Sequence, residues 1–216
     1  PPAMFNMALC DEKLGDLEAA AGIYDELVDT YPDSEAALHA MFRRGYCLEA
    51  LERLDEAIAQ YQEVLALDGI PVDDTLEAMS RIGHLQLLAG LESQAEDSLT
   101  LAVQFYVQQS QIERFDNAFY AAQAQYDLAE IERALFESVE FTTDEAQIRE
   151  ALDEKLEYMV EASDAYVQAI KIGNYYWAVA AGYQVGQLLW TLYDQMVQAP
   201  VPPELDTEEL VQTYYD

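Results

Sequence analysis

The apolar positions of this chain repeat. LGDLEAAAGIYDELVDTYPDS, from Leu14, and LERLDEAIAQYQEVLALDGIP, from Leu51, superpose after a shift of 37 positions. Leu14, Leu17, Ala20, Tyr24 and Leu27 then fall on Leu51, Leu54, Ala57, Tyr61 and Val64. Spacings of three and four place these side chains on one face of a helix. A second series precedes them. Met4, Met41 and Met79 are each followed four residues on by a small residue, Ala8, Gly45 or Gly83, and twelve further on by Ala20, Ala57 or Ala95. Next come Tyr24 and Leu27, Tyr61 and Val64, and Leu99 and Ala102. Small residues let two helices approach, while large ones fill the groove between them. Short breaks separate the helices: Leu14-Gly15-Asp16, Leu51-Glu52-Arg53 and Ala89-Gly90-Leu91. Tyr31-Pro32-Asp33-Ser34 and Gly69-Ile70-Pro71 close the first two units, and Asp74 with Glu77 reads as a capping box opening the third. Residues 1–104 are therefore predicted to form three helical hairpins.

Beyond residue 104 the pattern stretches. Residues 111–139 contain neither Gly nor Pro and are predicted as one long helix, with Ala129 in the small-residue place. The matching Ala162, Tyr166 and Ala169 arrive after 33 residues instead of twelve, so both helices of this unit are expected to gain about three turns each. Thr142-Thr143-Asp144-Glu145 reads as the cap between them. NYYWAVAAGYQVGQLLW reopens the pattern with Gly182 and Gly186 in register, and the helix is expected to end at Ala199-Pro200. An elongated unit and a following helix thus occupy 105–199. In 200–216, a Pro-rich break precedes Asp206-Thr207-Glu208-Glu209, the cap of a further helix.

On these residues the chain resembles the tetratricopeptide-repeat family. Gly15-Asp16, Ala20, Tyr24 and Pro32 match its pattern in the first unit, Gly45, Tyr46, Ala57 and Tyr61 in the second, and Gly83, Gly90, Ala95 and Ala102 in the third. Met replaces the family's usual Trp at the start of each first helix. Arg44 stands where an apolar residue is expected, so it needs a nearby carboxylate or an exposed edge. The second half is similar to large repeat proteins of myxobacteria and related bacteria, some of which work in the cell envelope; cell envelope, periplasm and cytoplasm all stay open as compartments. The resemblance implies an all-α, right-handed superhelix of antiparallel helical hairpins, a TPR-like solenoid with elongated C-terminal helices. It also implies that the first helices line an inner, concave wall. Chaperone-binding members carry basic and Asn residues there to clamp a carboxylate tail. Here those places hold Phe5, Leu9, Tyr46 and Glu77, with only Arg81 matching, so binding of acidic chaperone tails is not expected.

Charge narrows the partners. Asp and Glu number 42 against 10 Lys and Arg, a formal net charge of −32. Such a surface repels phosphate backbones and anionic lipid, so neither nucleic acid nor a membrane surface is expected. Two readings of the charge remain: general solvation, as in proteins adapted to high salt, or attraction of a basic partner. The same two readings hold for the stretch Glu137–Asp164, whose ten carboxylates face only Arg149 and Lys155. No run of eighteen apolar residues exists, so no membrane insertion is expected. The opening PPAMFNMALC has the look of a cut, without a signal peptide. Cys10 and Cys47 occupy equivalent places in successive units and are expected to be free thiols buried between helices.

No catalytic or metal site is predicted, and no cofactor. His39 and His84 stand alone in helices, and no Gly-rich phosphate loop or nucleophile–base pair can be named. The informative set is a stripe on the first helices: Phe5, Leu9, Phe42, Tyr46, His84, Tyr126 and Tyr183. It is either core or a ladder for a bound peptide. The expected function is a non-catalytic scaffold that binds a protein or peptide, basic and amphipathic, within a multi-component assembly. The alternative is self-assembly, with the long helices packing against further copies.

Overall fold

The computed structural model describes residues 1–141, 145–199 and 207. Among them the chain forms nine α-helices and no strand, an all-α helical-repeat solenoid. Thr142, Thr143 and Asp144, read above as a cap, lie outside the described residues. So do the Pro-rich break and, apart from Thr207, the predicted helix of 200–216. The chain divides into two compact units, Pro1–Ala124 and Gln125–Asp216.

The first unit holds three hairpins: α1 (Pro2–Leu14) with α2 (Leu17–Thr30), α3 (Glu35–Ala50) with α4 (Leu54–Leu65), and α5 (Val72–Leu88) with α6 (Glu92–Gln109). From α1 to α6 each helix packs on the next, and α1 also touches α3. The small and large stations of the predicted register are buried, although Leu14, placed on the same face, is exposed. Ala8, Ala20, Ala57 and Ala95 are fully buried, and so are Tyr24, Tyr61, Leu99, Leu27, Val64 and Ala102. Within a hairpin the fit is tightest at the glycines. A Cβ on Gly45 would stand 2.5 Å from the Tyr61 ring, and one on Gly83 would stand 2.6 Å from Leu99. Between hairpins, Ala40 and Cys47 of α3 join the core built on Ala8, Ala20, Tyr24 and Leu27. Ala78 and Leu85 of α5 likewise join the core built on Met41, Phe42, Ala57 and Tyr61. Arg44 finds its carboxylate: its Nε lies 3.3 Å from Asp25 Oδ1.

Several expectations require correction. Cys47 is buried but Cys10 is exposed, although both thiols are free. Cys47 packs on the hairpin before it, in the core built on Ala8, Ala20, Tyr24 and Leu27. Asp74 and Glu77 do not form a capping box, because Pro71 is the N-cap of α5 and no side chain caps it. Residues 111–118 are not helical, and α6 stops at Gln109. The next helix, α7 (Phe119–Ser138), starts where Asn117 Oδ1 accepts from Phe119 N at 2.9 Å. The Asp73 carboxylate holds Asp116 N at 3.2 and 3.3 Å, and Phe115 buries its ring against Tyr106. A side-chain cap restarts the helix at Phe119, and the buried Phe115 ring holds the non-helical run before it without Gly or Pro.

The second unit contains most of α7, α8 (Glu145–Ile172) and α9 (Tyr175–Val197). Lengthening falls mainly on α8, with 28 residues against 14, 12 and 18 for α2, α4 and α6. α7 has 20, against 13, 16 and 17 for the first helices before it. The core keeps the repeat register, with Ala129, Phe136, Ala162, Tyr166, Ala169, Ala181 and Leu188 in one cluster. Lys155 is fully buried and is not part of a solvated acidic face. Its ammonium donates to the carbonyls of Phe136, at 2.5 Å, and Val139, at 2.6 Å, and lies 4.5 Å from the Phe136 ring centre. It thereby closes the C-terminal end of α7, where orphan carbonyls favour a cation. Burial pulls its pKa below the ordinary lysine value, opposed by the carboxylates of Glu137 and Glu140.

The breaks inside the hairpins generate the first prediction. Gly15 and Gly90 adopt left-handed backbone, with φ of 84° and 72°, and Glu52 occupies the corresponding place at φ 58°. A side chain there costs about 1 kcal/mol that glycine avoids. In urea titrations, Glu52→Gly should stabilise the protein by about 0.5–1 kcal/mol, whereas Gly90→Glu should destabilise it by about 1 kcal/mol. Equal effects of one sign would mean the breaks are not shared turns. The thiols generate the second. Burial pushes the Cys47 thiol up to about 11. A maleimide should therefore label Cys10 at once in the native protein, and Cys47 only on unfolding.

Candidate functional site

The predicted stripe does not behave as one surface. Phe42 is core, 6% exposed, with its ring 5.9 Å from that of Tyr61. Tyr46 is half-buried beside it, at 6.3 Å. Phe5 and Leu9 are half-buried on α1, and Phe5 meets the Tyr24 ring edge-on at 5.6 Å. Phe5 also borders a cleft at the N-terminal ends of α1 and α3, together with Asn6, Glu35 and His39. His84 is half-buried on α5. In the second unit, Tyr126 is half-buried, 4.9 Å from the Trp177 ring and 5.4 Å from Tyr166. Tyr183 is 65% exposed on α9. The structure thus brings Phe42 and Tyr46 together over Tyr61 and leaves Phe5, Leu9 and His84 as separate half-exposed positions on the same set of first helices.

Sequence reasoning missed the polar network beneath this stripe. Tyr24 of α2 donates to Glu12 of α1 at 3.1 Å, and Arg43 of α3 donates to the same carboxylate, through Nε at 3.0 Å. One hairpin later the arrangement recurs. Tyr61 of α4 donates to Glu49 of α3 at 2.5 Å, and Arg81 of α5 donates to both Glu49 oxygens at 3.0 Å. Each buried tyrosine thus fixes a glutamate, and that glutamate fixes the arginine of the next hairpin. Arg81 is held further by Glu77, at 2.8 Å, and donates to Tyr120 Oη at 3.2 Å. Tyr46 and Tyr120 both donate to Glu77. Their rings, with that of Tyr61, surround the guanidinium, whose carbon lies 4.3 Å from the centre of Tyr46, 5.4 Å from Tyr120 and 5.8 Å from Tyr61. An arginine enclosed by tyrosine faces and two carboxylates is held electrostatically on every side.

The elongated unit uses the same chemistry with a new register. Tyr166 of α8 donates to Glu130 of α7, which also receives Arg133 at 2.7 Å. Gln184 of α9 donates to Tyr126 Oη at 3.0 Å and to Glu130 at 3.3 Å.

Burial, reinforced by the neighbouring carboxylates, raises the tyrosine pKa values. Tyr24 reaches about 12, where burial leads and the Glu12 carboxylate adds. Tyr120 also reaches about 12, from burial and then its bond to Glu77. Tyr46, Tyr61 and Tyr166 are pushed higher still, burial being the largest cause for each. All five therefore remain hydrogen-bond donors at neutral pH. Burial and the nearby Glu77 carboxylate also raise Asp74, opposed by His39. The network can hold helices in register, but it offers no exposed nucleophile with a base beside it. Among the described residues, no group of three or more His, Cys, Asp or Glu is placed to hold a metal ion. No helix among them is long and apolar enough to cross a membrane. A signal for the network does exist in the sequence: Glu12 and Glu49, and Arg43 and Arg81, recur at the hairpin period.

Stacked hairpins, small-residue stations and a repeated cross-hairpin network define a helical-repeat protein. Models of the tetratricopeptide repeat match residues 2–34 and residues 39–69, so the chain contains repeats of this type. No curated protein matches the sequence. Among solved structures, the chain is similar to a putative kinesin light chain of Podosopora anserina with nearly identical TPR-like repeats. Identity is 15%, coverage 89% of this chain and 96% of that one, and the TM-score 0.49. It is also similar to a tetratricopeptide repeat protein from Parabacteroides merdae, at 12% identity, covering 90% of this chain and 79% of that one, with a TM-score of 0.39.

The shared glutamate generates a prediction. Glu49→Ala leaves the Tyr61 hydroxyl and one side of Arg81 unpaired in a half-buried site and should cost about 1–2 kcal/mol in denaturant unfolding. Adding Arg81→Ala should then cost less than it does alone, because the two residues act through one contact. Strict additivity would show that Glu49 and Arg81 do not interact.

Proposed function

We propose that the protein is a non-catalytic scaffold that binds a protein or peptide partner along its first helices, within a multi-component assembly. Tetratricopeptide repeats generally mediate protein–protein interaction, which supports the class of function. The finer reading rests on one observation. Arg43 and Arg81, the arginines of the network on this wall, are already committed: Arg43 to Glu12, and Arg81 to Glu49 and Glu77. A carboxylate-bearing ligand would have to compete with these bonds. A Lys- or Arg-rich segment instead meets the acid excess of a chain of net charge −32. The favoured partner is therefore a basic, amphipathic segment. Its apolar side would rest on Phe5, Leu9, Tyr46 and His84, with Phe42 as support beneath. Aromatic anchors supply contact area at low entropic cost. In the second unit Tyr126 and Tyr183 belong to the same proposal.

A second reading, self-assembly through the long helices, draws on Leu156, Val160 and Ile170, which stand exposed along α8.

The test compares a basic amphipathic peptide with an acidic peptide of the same apolar pattern, by titration calorimetry on the full chain. Only the basic peptide should bind, and its affinity should fall as salt rises, since exposed charges are screened over about 10 Å at 0.1 M. Phe5→Ala with Tyr46→Ala should weaken binding by tenfold or more, on the order of 1.4 kcal/mol, with the helical signal retained. Phe42→Ala should instead destabilise the fold by about 3–5 kcal/mol. Equal binding of both peptides would refute the electrostatic reading. Concentration-dependent association of the chain alone, abolished by Val160→Asp, would favour self-assembly.

A further inference from the structure

The charge pattern of the polar network is exchanged between α7 and α9, and a cleft lies beside the exchange. In the first unit, Arg43 and Arg81 stand two residues before Gly45 and Gly83. Each reaches back to a glutamate four residues after the preceding small station, Glu12 after Ala8 and Glu49 after Gly45. In the second unit both places change. Gln184, two before Gly186, takes the arginine's place, and Arg133, four after Ala129, takes the glutamate's. Arg133 turns to its own helix, donating to Glu130 at 2.7 Å and to Glu137. Gln184 crosses from α9 instead, to Tyr126 and Glu130. Among the described residues, no guanidinium bridges these two helices.

The cleft measures about 240 Å³, between Arg133 and Glu137 on α7 and Tyr183, Gln187, Leu188 and Thr191 on α9. Its walls differ from the acidic surface around them. Arg133 and Glu137, one turn apart, offer a donor and an acceptor whose charges offset one another. Gln187 and Thr191, also one turn apart, are half-buried and make no hydrogen bond among the described residues. Their neighbour Leu188 is buried. Half-buried polar groups with unmet capacity favour a ligand that meets it, and the space exceeds what one bridging water fills.

We propose that this cleft binds the main chain of an extended partner segment, an inference that rests on the peptide-binding reading of the second unit. A peptide carries an N–H donor and a C=O acceptor at every residue, without net charge. Gln187 and Thr191 each both donate and accept, so together they match that alternation. Across the cleft, the Arg133–Glu137 pair repeats the same two functions. The exposed Tyr183 ring at the rim takes an adjoining side chain. The first helices of the first unit thus select a basic segment by charge, while the second unit holds the same segment by its backbone.

The test titrates the full chain with the basic amphipathic peptide and with two copies of it, N-methylated at the odd or at the even residues. Methylation removes main-chain donors and keeps every side chain. Gln187→Met with Thr191→Val removes the hydrogen bonds of the α9 wall at nearly constant volume. This variant should keep its helical signal and bind the unmodified peptide about tenfold more weakly. The factor should be the same at low and high salt, because neutral hydrogen bonds are not screened. At least one methylated copy should bind the variant and the unchanged chain alike. Equal binding of the unmodified peptide to both chains overturns the inference and leaves the scaffold reading standing. A tenfold loss that persists with both methylated copies also overturns it, since the cleft would then read side chains. Failure of the unmodified peptide to bind the unchanged chain overturns both.

Discussion

The whole array depends on one steric constraint. Where the first helix of a hairpin presents a small residue, the second can bring a large ring or branched chain against its backbone. At Gly45 and Gly83 the approach is so close that a single added carbon would stand 2.5 or 2.6 Å from Tyr61 or Leu99. Interiors are packed like crystals, so such a station has little room to yield. Once it is set, the alanines one turn earlier and the Leu, Val or Ala one turn later are buried as a consequence. The next hairpin can then lay its own small face against the result.

Polar chemistry is built on that apolar frame. Tyr24 and Tyr61 are buried by the packing, but each carries a hydroxyl that needs an acceptor. Glu12 and Glu49 supply it, and each glutamate's remaining capacity is taken by an arginine of the following hairpin. The bond that satisfies a buried phenol inside one hairpin is thereby also the bond that joins it to the next. A functional consequence follows. These arginines are committed to internal glutamates, and the proposed preference for a basic partner rests on that commitment.

Much of the fold was legible because periodicity is a property of the sequence itself. The Ala20, Ala57, Ala95 and Ala162 series located every second helix, including α8, where the interval had stretched to 33 residues. What escaped was set by single side chains acting non-periodically. The run through 111–118 lacks Gly and Pro, yet Asn117 caps a new helix start at Phe119 and Asp73 holds Asp116 in the non-helical run before it. Lys155 was counted among surface charges, since nothing local marks it as the buried partner of carbonyls 16 and 19 residues away. Cys10 shares its register with Cys47 but is exposed, because burial is set by neighbours from another hairpin and not by place in the repeat. The candidate site was legible only as a stripe. Phase on the helix gives the direction of Phe42 and Tyr46, but burial depth depends on neighbours from other hairpins.

The central claim, that the first helices form the binding wall, is tested most directly by hydrogen exchange on the full chain with a saturating basic amphipathic peptide. The account predicts slower exchange in α1, α3 and α5, with α2, α4 and α6 unchanged. Protection confined to the second helices, or to α8 alone, would contradict it.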